Sequence, residues 1–165
     1  MKSYSEEVHP IPPFYDADSE ILILGSFPSV KSREQMFFYG HPQNRFWIVL
    51  AAVFLDEVPQ TISDKKRFLA KNHIALWDVI GSCDIKGSSD ASIGNVVPND
   101  LSVILAKADI QKIIVNGRTA EKYYKKFIEP VIGRSAVCLP STSPANAAWS
   151  LERLEAEWKR EIKGV

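Results

Sequence analysis

A tyrosine, a histidine and an asparagine fall close together in Tyr39-Gly40-His41-Pro42-Gln43-Asn44, directly ahead of the apolar run Phe46 to Leu55. Tyr39 offers a flat face on which a planar ligand can stack, and Asn44 offers both a donor and an acceptor for that ligand's edge. The apolar run reads as a helix, so these residues stand at a helix N-terminus, where free backbone N–H groups and the positive dipole end face outward. Asn44 is never a strong base. The same pattern also suits a well-capped helix, and the rest of the chain has to decide between the two readings.

The elements that would position this cluster follow from apolar periodicity and from the breakers between runs. Residues 1–19, with His9-Pro10-Ile11-Pro12-Pro13, are proline-interrupted and read as an extended arm around the body, with no function expected there. Glu20 to Leu24 is a short apolar strand stopped by Gly25, and Ser26-Phe27-Pro28-Ser29 forms the loop after it. After Pro59, Ser63 or Asp64 can cap a helix that runs to about Asn72. Ile74 to Val79 is the second strand, and the small polar stretch Gly81 to Asn95 reads as a long irregular loop. Asn99 is expected to cap a helix carrying Leu101, Ile104 and Leu105, which leads into the strand Lys112 to Asn116. A helix from Thr119 to Ile128 closed by Pro130, a strand Ala136 to Leu139, the loop Pro140 to Asn146 and a final helix striped by Leu151, Leu154, Trp158 and Ile162 complete the chain.

Strands alternating with helices predict one three-layer α/β/α domain over residues 1–165, with a short, mainly parallel four-stranded sheet. Right-handed crossovers then bring the loops beginning at Gly25, Asp78, Asn116 and Pro140 to one edge of the sheet, the edge at which open α/β sheets bind ligands. The converging side chains include Ser26, Phe27, Tyr39, His41, Asn44, Asp78, Ser82, Ser88, Asp90, Asn116, Ser141, Thr142, Ser143 and Asn146. This lining is small, aromatic and mostly neutral. It suits a planar, uncharged, hydrogen-bonding ligand, a description that a nucleobase fits.

Composition narrows the classes further. With 165 residues, 45% hydrophobic and 24% charged, the chain can bury a substantial core. Its 20 basic and 20 acidic residues cancel, so only a local basic rim could attract a polyanion. The longest apolar run is far shorter than the ~20 residues of a membrane helix, and no signal region opens the chain, so a cytoplasmic protein without a membrane partner is expected. Cys83 and Cys138 are far apart and lack metal-ligand spacing, which predicts two reduced thiols, Cys138 buried in a strand, and neither metal nor cofactor. There is no paired-carboxylate cluster, no nucleophile elbow and no Walker glycine loop.

Three blocks, Gly25-Ser26-Phe27-Pro28-Ser29, Phe38-Tyr39-Gly40-His41-Pro42-Gln43-Asn44-Arg45-Phe46-Trp47 and Leu139-Pro140-Ser141-Thr142-Ser143-Pro144-Ala145-Asn146-Ala147, resemble the signature blocks of the uracil-DNA glycosylase superfamily. Within it the likeness is nearest to the hypoxanthine-DNA (deoxyinosine) glycosylase branch and runs from about Ile21 to Trp158. The resemblance implies a repair enzyme acting on double-stranded DNA with deaminated bases, expected to be monomeric. Gly25, Ser26 and Phe27 would lie beside the flipped nucleotide, Tyr39 would be the stacking ring, and Asn44 the catalytic amide. His41 and Asn116 join the base-binding candidates. Ser141, Thr142, Ser143, Pro144, Ala145 and Asn146 would enter the duplex, with Lys31, Arg33, Arg45 and Arg118 as candidate cations around the cleft. Relatives specialised for uracil carry Asn or Asp where Phe27 stands, which shifts the chemistry toward Asn44. Asp78 is either an alternative water-activating base or a strand-end residue held by backbone N–H groups. No lysine in the blocks is placed to form a Schiff base, so an abasic product without strand cleavage is expected. A uracil or mismatch glycosylase, a non-catalytic nucleotide or damaged-DNA binding module, and a free-nucleoside hydrolase are the competing readings; the last has no need of a wedge at Ser141 to Asn146.

Overall fold

The computed structural model describes residues 4–164. Its centre is a fully parallel four-stranded sheet in the order β3-β2-β6-β7, formed by β2 (Ile21–Gly25), β3 (Ile74–Asp78), β6 (Lys112–Asn116) and β7 (Val137–Leu139). Side chains alternate across it as a strand requires. Ile23, Leu76 and Ile114 face one core with Phe46, Leu50 and Trp158, while Leu22, Leu24, Ala75 and Val115 face a second core with Ile104, Ala120 and Tyr124. The helices α2 (Phe46–Phe54), α3 (Ile62–Lys71) and α7 (Leu151–Lys163) cover the first face. On the other lie α4 (Ser102–Leu105) and α5 (Arg118–Tyr123). The expected three layers and the expected parallel sheet are therefore present.

A second sheet was not expected. Strands β1 (Ser5–Val8), β4 (Ile80–Ile85) and β5 (Gly94–Pro98) form an antiparallel sheet in the order β1-β4-β5. Part of the stretch read as an irregular loop is thus a hairpin, hidden because its register shifts twice and its residues are small and polar. Of the predicted arm, residues 1–3 lie outside the described residues; residues 5–8 are extended as expected, yet they are paired into this sheet rather than simply wrapped around the body.

Helix ends correct several expectations. Thr61, not Ser63 or Asp64, caps α3, its hydroxyl accepting from the N–H of Asp64 at 3.0 Å. Asn99 caps nothing: its amide donates to the carbonyls of Asp78 and Ile80, and Asp100 accepts from the N–H of Ser102 instead. Pro130 does not close the helix after β6. The chain widens into a π turn over Tyr124–Ile128 and continues as α6 (Glu129–Ile132) to left-handed Gly133. A widened turn accommodates a proline that supplies no N–H and would crowd the preceding turn. A short helix, α1 (Val30–Gln35), follows the first loop, with Ser29 accepting from the N–H of Ser32 as its cap. Both cysteines are free, but Cys83 in β4 is the buried one and Cys138 in β7 is half-buried. Burial pushes the Cys83 thiol up to about 11.

Candidate active site

The ends of β2, β3, β6 and β7 open into one cleft of about 1130 Å³, lined by Gly25, Ser26, Phe27, Tyr39, His41, Asn44, Asp78, Asn116 and the whole of Ser141 to Asn146. The topology, not local sequence, assembles it: all four strands point the same way, so their carboxyl ends share an edge. Of the sequence candidates, Ser82, Lys31, Arg33 and Arg45 do not line this cleft, Ser82 because it lies within β4 of the second sheet, and the structure separates the roles of the rest.

Two backbone N–H groups set the polarity of the polar network. An N–H can only donate, so the atom of Asn44 that faces the Phe46 N–H at 2.9 Å is Oδ1. The same logic places Asn116 Oδ1 on the Thr142 N–H at 3.1 Å. Asn116 Nδ2 must then donate to Thr142 Oγ1 at 3.0 Å, and the Thr142 hydroxyl passes its own proton to Asn44 Oδ1 at 2.9 Å. Asn44 Oδ1 is thereby occupied twice, while Nδ2 makes no hydrogen bond among the described residues and remains as the donor available to the cleft. Asn44, one residue ahead of the Arg45 N-cap, both accepts from the first N–H of α2 and keeps a free donor, so support for the helix start and the site share one residue.

This network revises two expectations. Asn116 is buried, with its amide committed to Thr142 and, at 3.3 Å, to the Tyr39 hydroxyl, so it braces the site rather than reaching a ligand. Thr142 has no exposed surface and cannot touch DNA; it aims Asn44. Close approach of the two segments needs Gly117, at φ +95, where a Cβ would lie 2.9 Å from that of Ser141.

Tyr39 takes a left-handed backbone, φ +53, uncommon for a tyrosine and a mark of a conformation held by its surroundings. Its ring stacks on Phe46 with centroids 3.8 Å apart, and its carbonyl accepts from Trp47 Nε1 at 3.2 Å. Burial, then the charge of Asp78, raise the phenol well above the usual tyrosine range, with the Asn116 hydrogen bond offsetting part of this. The hydroxyl therefore stays protonated, and Tyr39 should contribute no alkaline limb to an activity profile up to about pH 10. Tyr39→Phe is expected to cost about 0.5–1.5 kcal/mol, one neutral hydrogen bond. Tyr39→Ala removes a ring stacked on the core and should lower the thermal midpoint as well as ligand capture, so both are measured together.

Gly25 has to be glycine for a local reason: a Cβ there would lie 2.5 Å from Asp78 Oδ1 and 3.2 Å from the Tyr39 hydroxyl. Asp78 is buried, and its Oδ2 meets His9 Nε2 at 2.7 Å. The bond expected from backbone N–H groups is thus supplied by a histidine from the arm to which no function was given. No local pattern in the sequence marks that pairing. Phe27 is buried, edge-on to the His9 ring at 5.8 Å, and the Arg33 guanidinium lies 5.4 Å from its centroid. Ser26 Oγ donates to Asp90 Oδ1 at 3.0 Å across the cleft mouth, and desolvation raises the Asp90 carboxyl above the usual range. His41 Nδ1 accepts from the Gln43 N–H at 3.1 Å.

Arg45 departs from the DNA-contact expectation. Its Nη1 donates to the Trp149 carbonyl at 2.6 Å and its Nη2 to that of Asn146 at 3.0 Å, so it clamps the loop from β7 to α7. Arg33 is likewise taken up by the Gly87 carbonyl at 2.7 Å and Glu7 at 3.3 Å. Within the clamped loop, Asn146 Nδ2 donates to the Ser141 carbonyl, and Ser141 Oγ accepts from the Ser143 N–H. That bracing leaves Pro144 and Ala145 exposed at the tip. Among the described residues no group of three or more His, Cys, Asp or Glu side chains is gathered as a metal would require, and no helix is long and apolar enough to cross a membrane.

Comparison with known proteins places these features in context. A family model described as the uracil DNA glycosylase superfamily matches residues 12–163. A protein of Methanosarcina acetivorans named hypoxanthine DNA glycosylase is 36% identical over 153 residues, covering 90% of this chain and 93% of its own length. Its namesake from Methanosarcina barkeri is 32% identical over 158 residues, covering 92% and 96%. A solution NMR structure from Methanosarcina acetivorans, described as that of a uracil DNA glycosylase, superposes with a TM-score of 0.79 at 33% identity, covering 93% of this chain and 95% of that one.

Proposed function

This chain belongs to the uracil DNA glycosylase superfamily, and on that premise we propose that it flips a deaminated base, above all hypoxanthine from deoxyinosine, out of double-stranded DNA and hydrolyses its N-glycosidic bond. It is a DNA glycosylase. The observation that carries the residue-level reading is the free Nδ2 of Asn44, aimed by Thr142 from behind.

Breaking this bond passes through an oxocarbenium-like sugar and leaves negative charge on the departing base, so the enzyme has to extrude the base, stabilise that charge and admit water. Asn44 Nδ2 donates to the departing base. Asp78 Oδ1, with no hydrogen bond among the described residues, is the carboxylate available to face the cationic sugar and take a proton from water. Tyr39, backed by Phe46, is the platform for the base. The exposed tip Pro144-Ala145 is the part of the Ser141 to Asn146 loop that enters the duplex. No lysine lines the cleft among the described residues, which supports hydrolysis over a Schiff-base lyase route.

The test uses end-labelled duplexes containing inosine, uracil or xanthine. Breaks at inosine that appear only after hot alkali are expected; binding without breaks at any lesion would make this a non-catalytic module. A salt titration of duplex binding checks the contact surface. With Arg33 and Arg45 committed to the protein, Lys31 and Arg118 remain as candidate phosphate contacts, and log K against log[salt] should fall with a slope of about −2. A slope three times as steep would require contacts this cleft does not offer.

A further inference from the structure

His9 stands before the region that the family model matches, which begins at residue 12, and it is brought to the cleft by a strand outside the parallel sheet. Pairing of β1 with β4 carries the chain inward, where the His9 N–H donates to the Gly81 carbonyl at 2.7 Å. The side chain is only 3% exposed, walled by the rings of Phe27, Phe38 and Trp77 at centroid distances of 5.8, 6.4 and 6.2 Å. Nδ1 accepts from the Ile11 N–H at 3.3 Å, so the ring proton sits on Nε2 and is donated to Asp78 Oδ2 at 2.7 Å. Asn99 holds the Asp78 main chain through its carbonyl at 2.9 Å. The other ionisable groups facing the carboxylate are the Tyr39 hydroxyl and the Asp90 carboxylate.

We propose that His9 is a positioning residue for base release: by pinning Oδ2 of Asp78 it turns Oδ1 toward the cleft beside Gly25. The inference rests on the reading of this cleft as the place where the base is released. The terminal torsion of a carboxylate is soft, so burial alone does not fix the plane in which its free oxygen faces the cleft. A donor held in one tautomer on the other oxygen does fix it. The backbone of Ile11 fixes that tautomer, so the arm sets the orientation of a group at the end of β3 without touching substrate.

A buried pair that merely stabilises the fold would show the same contacts, so the test separates the two. In single-turnover release of hypoxanthine from an inosine duplex, His9→Phe keeps an aromatic ring but lacks the donor. It should lower the rate constant about tenfold, the equivalent of one hydrogen bond to a charged group, with half-saturation changed less than the rate. His9→Gln can place an amide N–H near the Nε2 position and should restore most of the rate. In an Asp78→Asn background, His9→Phe should add little further loss, because His9 acts only through Asp78. If His9→Phe does not fold, judged by its melting curve, His9→Asn replaces it; its shorter amide falls short of Asp78 and the same loss is expected. An unchanged rate in the folded variant, no rescue by Gln, or fully additive losses with Asp78→Asn would each overturn the inference while wild-type release stands. Wild-type protein inactive on every lesion would bring down the functional reading, and this inference with it.

Discussion

Asn44→Asp is expected to lose base release as fully as Asn44→Ala, by roughly 10²- to 10³-fold in the rate of the chemical step, the usual effect of removing one donor aimed at developing negative charge. The aspartate keeps the side-chain length and the acceptor. It can still receive the Phe46 N–H and the Thr142 hydroxyl, and Asp is as good as Asn at a helix start. The fold should therefore be unchanged or slightly stabilised, whereas alanine gives up the hydrogen bond to the first N–H of α2, worth ~1 kcal/mol. The difference lies in the atom that faces the cleft, where a donating N–H is replaced by an oxygen that repels an anionic leaving base. Single-turnover release from an inosine duplex, with a melting curve for each variant, reads both quantities. If the aspartate variant keeps substantial activity, Asn44 works through its acceptor, as a residue that orients water would, and the donor assignment is wrong.

Thr142→Val should cost about 10²-fold in release although the side chain has no exposed surface, the scale of loss expected when a catalytic group shifts by about an ångström. Valine fills nearly the same volume but removes the hydroxyl that links Asn116 Nδ2 to Asn44 Oδ1. Asn44 then keeps only the Phe46 N–H to hold its amide, and Asn116 Nδ2 loses its better partner. Stability should fall by about 1–3 kcal/mol, the cost of leaving buried polar groups unpaired. Thr142→Ser should recover most of the rate. Duplex affinity and its salt slope should stay at the wild-type values, since Thr142 touches no solvent. A variant that loses DNA affinity while retaining the chemical step would instead return Thr142 to the DNA-contact role.

Much of this molecule is legible along the chain because its central strands are short, apolar and bounded by breakers. Glu20 to Leu24, Ile74 to Val79, Lys112 to Asn116 and Ala136 to Leu139 all fall on observed strands, within a residue or so at their ends. Once those strands are parallel, convergence of the four loops at one edge follows from connection handedness alone. Signals that compete locally are less legible. Thr61 and Ser63 both suit a cap, and Pro130 is a strong breaker that a π turn absorbs. The hairpin of β4 and β5 lacks the clean alternation of a half-buried strand because its register slips twice.

Residue types and spacing along the chain specify the inventory and its place: three motif blocks, a parallel sheet to carry them, and Tyr39 and Asn44 ahead of the helix that supports both. Which atom of each group faces the cleft follows only from the packed fold. The Asn44 amide is oriented by Thr142, which lies 98 residues further along the chain, and the Asp78 carboxylate is held by His9, 69 residues before it. Arg45, a free cation on paper, is spent on the carbonyls of Asn146 and Trp149. Propensity and periodicity act over a few residues and determine where the backbone goes. The direction of a hydrogen bond between distant side chains is set by packing, which no local window contains.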